Sequence, residues 1–210
     1  MSNIERIPCG NGNAYLLSDS ENAVLVDTCR AQYKEKILAR CKTKNMRLIV
    51  LTHGHIDHIQ NVAFLSKELN APIAMHKADF GLVNNNLAEP MSAHSLLGMF
   101  ILKLSQKSFE TDKAEPFETE LFLQEGDSLN EYGVSATVIE LPGHTKGSIG
   151  IKTGNSVIVG DALMNMFYPA KSPLYGDRTA MEKSAERISS FGDVTIYFGH
   201  GKPVKNRIWQ

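Results

Sequence analysis

Leu48-Ile49-Val50-Leu51 is a short apolar run that passes through Thr52 into His53-Gly54-His55-Ile56-Asp57-His58. The run has the length and composition of a buried strand. Three imidazoles and a carboxylate inside six residues at the end of a strand are hard to read as separate packing residues. In an extended segment His53 and His55 point the same way, so both can reach one ion. A turn into the following helix, expected to continue through Leu69, swings Asp57 and His58 toward a second ion. Working outward, the same pattern of polar residues closing an apolar run recurs at Gly143-His144-Thr145-Lys146-Gly147-Ser148, Gly160-Asp161-Ala162-Leu163 and Gly199-His200-Gly201. Small residues beside these side chains let them converge without crowding the backbone. The pattern points to a metal site.

The remaining sequence narrows the setting. A chain of 210 residues with 42% hydrophobic residues and a net charge of -1 is neither disordered nor marked for nucleic acid, since 22 basic residues balance 23 acidic ones. The longest apolar stretch, Leu96–Leu104, is interrupted by Gly98 and Lys103 and is too short for a membrane span. Met1-Ser2-Asn3-Ile4-Glu5-Arg6 has no apolar signal core, so a cytoplasmic location is expected. Cys9, Cys29 and Cys41 have no metal-type or redox-type spacing and fit a reducing compartment. Ala14–Leu17 and Val24–Val26 read as strands around an Asp19-Ser20-Glu21-Asn22 turn, and Gln32–Lys44 reads as an amphipathic helix. Ala71–Met75, Leu121–Leu123, Val134–Glu140, Ser148–Lys152, Val157–Val159 and Thr195–Phe198 read as further strands. Thr179–Phe191 reads as a last helix with Thr179 as its N-cap. A single domain over residues 1–210 is expected, with an insertion at 84–118 that holds one or two helices. The insertion serves as a lid or as the interface of a homodimer.

These motifs resemble the metallo-β-lactamase fold superfamily: His-x-His-x-Asp-His at His53–His58, Gly-His-Thr-x-Gly-Ser at Gly143–Ser148, Gly-Asp-x-Leu at Gly160–Leu163 and Gly-His-Gly-x-Pro at Gly199–Pro203. The resemblance implies an α/β fold, a four-layer αββα sandwich with a two-metal site on one edge. It implies that His53, His55 and His144 hold the first ion, that Asp57, His58 and His200 hold the second, and that Asp161 bridges them. Val24-Leu25-Val26-Asp27-Thr28 resembles the family's early strand, with Asp27 structural. Ile59-Gln60-Asn61 stands where the family often has glycine, and so does Cys29. Neither departure falls on a ligand position, and both would reshape the pocket floor.

Two divalent ions about 3.5–4 Å apart share a water and lower its pKa from about 15.7 to about 7. The resulting hydroxide is the expected nucleophile, with Asp57 orienting it and taking up its proton. A donor set of nitrogen and oxygen without thiolates favours zinc, with iron and manganese as alternatives. Formal charges leave the cleft slightly positive, which suits a small anionic or carbonyl-bearing substrate. The expected activity is hydrolysis of an ester or thioester, most similar to short glyoxalase II-like members. A ribonuclease Z-like phosphodiesterase and a β-lactam or lactone hydrolase are the alternatives. Tyr168 and Lys171, in a Met- and aromatic-rich segment after Asp161, are the expected substrate contacts, while His76 and His94 are expected in surface or packing roles.

Overall fold

The strands near the start of the chain carry apolar side chains on both faces, which obliges each face to be covered. In the computed structural model, which describes residues 2–93 and 95–209, β1 (Asn3–Cys9), β2 (Gly12–Asp19) and β3 (Asn22–Val26) form an antiparallel meander. β4 (Asn45–Val50) and β5 (Ile73–Met75) add to it in parallel. Next come β6 (Ser92–Ala93) and β7 (Leu121–Phe122), and β7 closes a six-stranded sheet in the order β1-β2-β3-β4-β5-β7. The later strands are β8 (Thr137–Glu140), β9 (Ile149–Thr153), β10 (Ser156–Ile158), β11 (Leu163–Met164), β12 (Ala170–Lys171), β13 (Leu174–Tyr175), β14 (Thr195–Tyr197) and β15 (Val204–Lys205). Five of them form a second sheet in the order β15-β14-β10-β9-β8, while β11 pairs with β12 and β13 with β6.

The helices are α1 (Lys34–Cys41), α2 (Ile56–Ile59), α3 (Val62–Leu69), α4 (Phe80–Asn84), α5 (Leu96–Thr111) and α6 (Arg178–Ser189). Strand alternation sorts the core into three seams. Leu16, Leu25 and Ile49 on one face of the first sheet pack with Ile37 of α1 and Val62 and Leu65 of α3. Leu17, Val24 and Val50 on its other face meet Val138, Ile149 and Ile151 of the second sheet. The outer face of that sheet, through Ile139, Val157 and Ile196, packs with Ala185 and Ile188 of α6. The order helix, sheet, sheet, helix is the expected αββα sandwich.

Several boundaries differ from the sequence reading, each for a local reason. The helix expected through Leu69 divides into α2 and α3 at Asn61, whose carboxamide donates to the carbonyls of Thr28, Cys29 and Arg30 at 2.7, 3.2 and 2.7 Å. Thus Asn61 fastens the loop after β3 to the helix pair. The expected helix at Gln32–Lys44 begins as a 3-10 turn, Ala31–Tyr33, and is α-helical only over α1. α6 starts one residue before Thr179, because Asp177 is the cap and accepts from the Ala180 amide at 3.0 Å. The segment 84–118 contains β6 and α5 and continues without regular structure to β7. Among the described residues, no helix is long and apolar enough to cross a membrane.

Candidate metal centre

The first histidine motif leaves β4 at the edge where both sheets end. Thr52 turns the chain there: its amide and hydroxyl donate to the Asp27 carboxylate at 2.8 Å each. Asp27 has φ 61°, a left-handed conformation uncommon for a residue with a side chain. That bend aims its carboxylate back at Thr52 and at His58 Nδ1, 2.8 Å away. Asp27 is therefore a positioning residue, as the sequence suggested.

Each of the outer imidazoles is oriented by an acceptor on its Nδ1. His144 Nδ1 donates to the Leu174 carbonyl at 3.0 Å, and His200 Nδ1 donates to the Asn11 carbonyl at 3.0 Å. Such bonds orient each ring and turn its Nε2 toward the centre. Asp161 lies between them: its Oδ1 is 3.6 Å from His58 Nε2, and its Oδ2 is 3.7 Å from His144 Nε2 and 3.3 Å from His200 Nε2. His55 Nδ1 faces His144 Nε2 at 3.0 Å, and Asp57 Oδ2 is 3.5 Å from His200 Nε2. The donor atoms gather into His53, His55 and His144, into Asp57, His58 and His200, and into His53, His58 and Asp161. All seven residues singled out from the sequence meet in one cluster. Close approach is allowed by Gly199, where a Cβ would collide with Asp161 Oδ1 and lie 2.8 Å from His58 Cε1.

Electrostatics divide the cluster. Burial pushes His53 well below the usual histidine range and His55 down to about 3, so both are neutral. Burial acts the same way on His58 and His200, but Asp161 prevails and holds both above that range. Asp161 and Asp57 resist burial in turn, with the neighbouring imidazoles of His58 and His200 keeping both carboxylates low. Among the described residues, His53 Nε2, His55 Nε2, His58 Nε2 and Asp161 Oδ1 are buried without a hydrogen-bond partner. An unpartnered buried polar atom costs about 1–3 kcal/mol. So many in one cluster fit a cation that takes the lone pairs of His53 and His55 and the charge of Asp161 and displaces the proton of His58.

Asp79 was not singled out from the sequence, where His76-Lys77-Ala78-Asp79 looks like any surface turn. It is fully buried and ties the first two motifs together. Its carboxylate accepts from the Gly54 amide at 2.9 Å, the Gly147 amide at 2.6 Å and the Thr145 hydroxyl at 2.7 Å. His76 Nδ1 accepts from the Ala78 amide at 3.2 Å and stands outside the cluster; His94 lies outside the described residues.

A cavity of about 530 Å³ opens over the cluster. Cys9 and Cys29 line its floor, and Cys29 has φ 55° where glycine would be unstrained. Met166 and Phe167 line its side. Tyr168 and Lys171 are not among the lining residues: Tyr168 falls on the bend between β11 and β12 with 66% of its surface exposed, and Lys171 is held in register opposite Leu163.

The sequence profile of the metallo-beta-lactamase superfamily matches residues 7–200. The chain belongs to that superfamily. Hydroxyacylglutathione hydrolase 1 of Vibrio vulnificus (strain YJ016) is 29% identical over 195 residues, which cover 91% of this chain and 63% of that protein. The chain thus spans less than two thirds of that relative's length. A probable metallo-hydrolase of Methanocaldococcus jannaschii is 27% identical over 202 residues, covering 91% of this chain and 88% of the other. Two solved superfamily structures share the fold. The BLEG-1 B3 metallo-beta-lactamase has a TM-score of 0.72 at 22% identity, with 97% of this chain and 94% of that one covered. TTHA1623, solved in a di-iron-bound form, has a TM-score of 0.69 at 24% identity, with the same coverage.

Proposed function

We propose that this chain is a dinuclear metal-dependent hydrolase that cleaves an ester or thioester bond in a small molecule, working in a reducing compartment such as the cytoplasm. The observation that carries this reading is the placement of Asp161 between two groups of donors, with His53 Nε2, His55 Nε2, His58 Nε2 and Asp161 Oδ1 buried without a hydrogen-bond partner among the described residues. His53, His55 and His144 would hold one ion, Asp57, His58 and His200 the other, and Asp161 both. Zinc suits these donors best, with iron and manganese as alternatives. A pair of divalent ions supplies water of lowered pKa and polarises a carbonyl oxygen.

The protein's own residues do the rest. Asp57 keeps its carboxylate charged, lines the cavity and is 23% exposed, so it can accept a proton from an attacking water and return it to the leaving group. Asp27, Leu174 and Asn11 hold the rings of His58, His144 and His200 so that no reorientation is needed during turnover. Phe109 stacks on His55 at 4.7 Å and keeps bulk water from that side. The hydroxyacylglutathione hydrolase relative supports a thioester as the bond cleaved.

Metal analysis of protein purified without added metal tests the reading, followed by a panel of thioesters, esters, lactones, phosphodiesters and β-lactams. About two ions per chain are expected, with turnover of thioesters or esters lost to a chelator and restored by Zn²⁺, Mn²⁺ or Fe²⁺. Turnover confined to phosphodiesters or β-lactams would replace the proposed substrate class. Protein that binds no divalent ion would overturn the proposal.

A further inference from the structure

The helix α5 is amphipathic in an unusual sense. Its apolar stripe faces the cavity rather than a core. Leu97, Phe100, Ile101 and Leu104 follow the 3.6-residue period of one helix face, and they line the cavity together with Phe109 further along the helix. Phe109 is buried against His55, but Phe100 and Leu104 remain 62% and 56% exposed. An apolar stripe normally disappears into packing, since each exposed side chain forgoes its transfer from water. Here it borders open space.

The helix is not loose at either end. Ser95 caps its start by accepting from the Gly98 amide at 3.0 Å, and Gly98 sits where a Cβ would press on the Pro173 carbonyl at 3.1 Å. At its other end Arg30 binds Ser108 at 2.8 Å and Asp112 at 2.6 Å. Arg30 is also the one lysine or arginine among the described residues that line the cavity. Asp112 already takes its charge. Met164, Met166, Phe167 and Leu174 line the cavity as well, again uncharged.

We propose that the cavity takes an unbranched saturated acyl chain, which lies along α5 with its carbonyl at the His/Asp cluster. This rests on the hydrolase reading above and adds the acyl specificity of the same site. The stripe from Leu97 to Leu104 spans about 10 Å of helix, the length of an extended chain of about eight carbons. The cavity is continuous with the cluster, because His55, Asp57, His144, Asp161 and His200 line it as well. A charged acyl group would meet no free counter-ion along that apolar stripe and would lose its hydration. Met164 and Met166 adapt to a flexible chain better than branched residues do.

Two measurements on the metal-loaded protein test this. The first is kcat/KM for a series of straight-chain acyl thioesters, acetyl to decanoyl, on one small thiol. The second is displacement of a fluorescent alkyl carboxylate by unlabelled fatty acids of the same lengths, with metal-loaded and with chelated protein. Both should rise about three- to fourfold per methylene up to about eight carbons. Changing Phe100→Ser together with Leu104→Ser should flatten both gradients, and both positions are exposed enough for the fold to tolerate the change. Met99→Ser, on α5 but outside the cavity lining, should leave the gradients intact. Thioester turnover with no gradient in either series overturns the acyl proposal while leaving the hydrolase reading standing. A binding gradient without turnover of any thioester or ester does the reverse. Failure to bind the probe, with a dimer that the double variant dissociates, would assign the stripe to a second copy of the chain and overturn the proposal too.

Discussion

The floor of the cleft and its α5 wall are built by opposite rules. On the floor, Asp27, Asp79 and Asn61 each make several hydrogen bonds to backbone or side chain, and each is almost wholly buried. On the wall, Phe100 and Leu104 hold their places through the helix they belong to and little else. The floor has one arrangement available to it. The wall can change its side chains without disturbing anything beneath. On the reading proposed above, chemistry is thereby separated from selection: the donor cluster is cross-braced, and the wall proposed to meet the substrate is not.

Substitutions on the two sides should separate accordingly. The largest effect is expected for Asp161→Ala, which should lose at least one ion per chain by elemental analysis and nearly all turnover, because the donor between the two groups is gone. If ions and rate persist, the floor is less integrated than its bonding suggests. Asp57→Asn keeps the shape but removes the proposed proton acceptor, and should lower kcat by roughly 10²-fold or more with the fold unchanged; a normal kcat would reduce Asp57 to a turn residue.

Smaller effects concern stability. Asp79→Ala strands the Gly54 and Gly147 amides and removes one of two partners of the Thr145 hydroxyl, and should cost about 3 kcal/mol or more in chemical denaturation. A loss below about 1 kcal/mol would mean the floor has slack after all. On the wall, Arg30→Ala should cost only about 0.5–1 kcal/mol at neutral pH, as expected for a partly exposed pair. Asp112 is held below the usual carboxylate range by the Ser108 hydroxyl first, with Thr111 and Arg30 adding to it. Its folded value is depressed, so this contribution is present above the ordinary carboxylate range and disappears as pH falls through the folded value. Denaturation curves of wild type and Arg30→Ala should therefore converge on acidification. Curves that stay apart would show that Arg30 acts by packing.

Sequence reading reaches the floor better than the wall. His53–His58, His144, Asp161 and His200 were legible because polar residues at the end of apolar runs, flanked by glycine, violate ordinary patterning. The strands followed from their alternation, and the resemblance supplied the layer order. Asp79 was hidden because one aspartate in a turn carries no local sign of its burial or of partners 25 and 68 residues away. Asp177 was passed over as a cap because Thr179 is also a good one, and only the helix start decides between them. In α5 the stripe was visible as apolar, yet whether a stripe faces a core, a second chain or a cavity is set by what lies opposite. Tyr168 and Lys171 show the same limit: Phe167, one residue away, lines the cavity and Tyr168 does not.

The donor from residue 200 has a further consequence. Asn13 donates to the carbonyls of Phe198 and Gly201 at 2.9 and 2.8 Å, and the Asn11 carbonyl holds His200, so the first turn and the second strand made by the ribosome position the last of the donors. During synthesis His53, His55 and His58 emerge early and wait for partners that appear some 85 to 150 residues later. The group formed by Asp57, His58 and His200 cannot exist on a nascent chain that stops short of residue 200. On the two-ion reading proposed above, both positions can be filled only once residue 200 is in place.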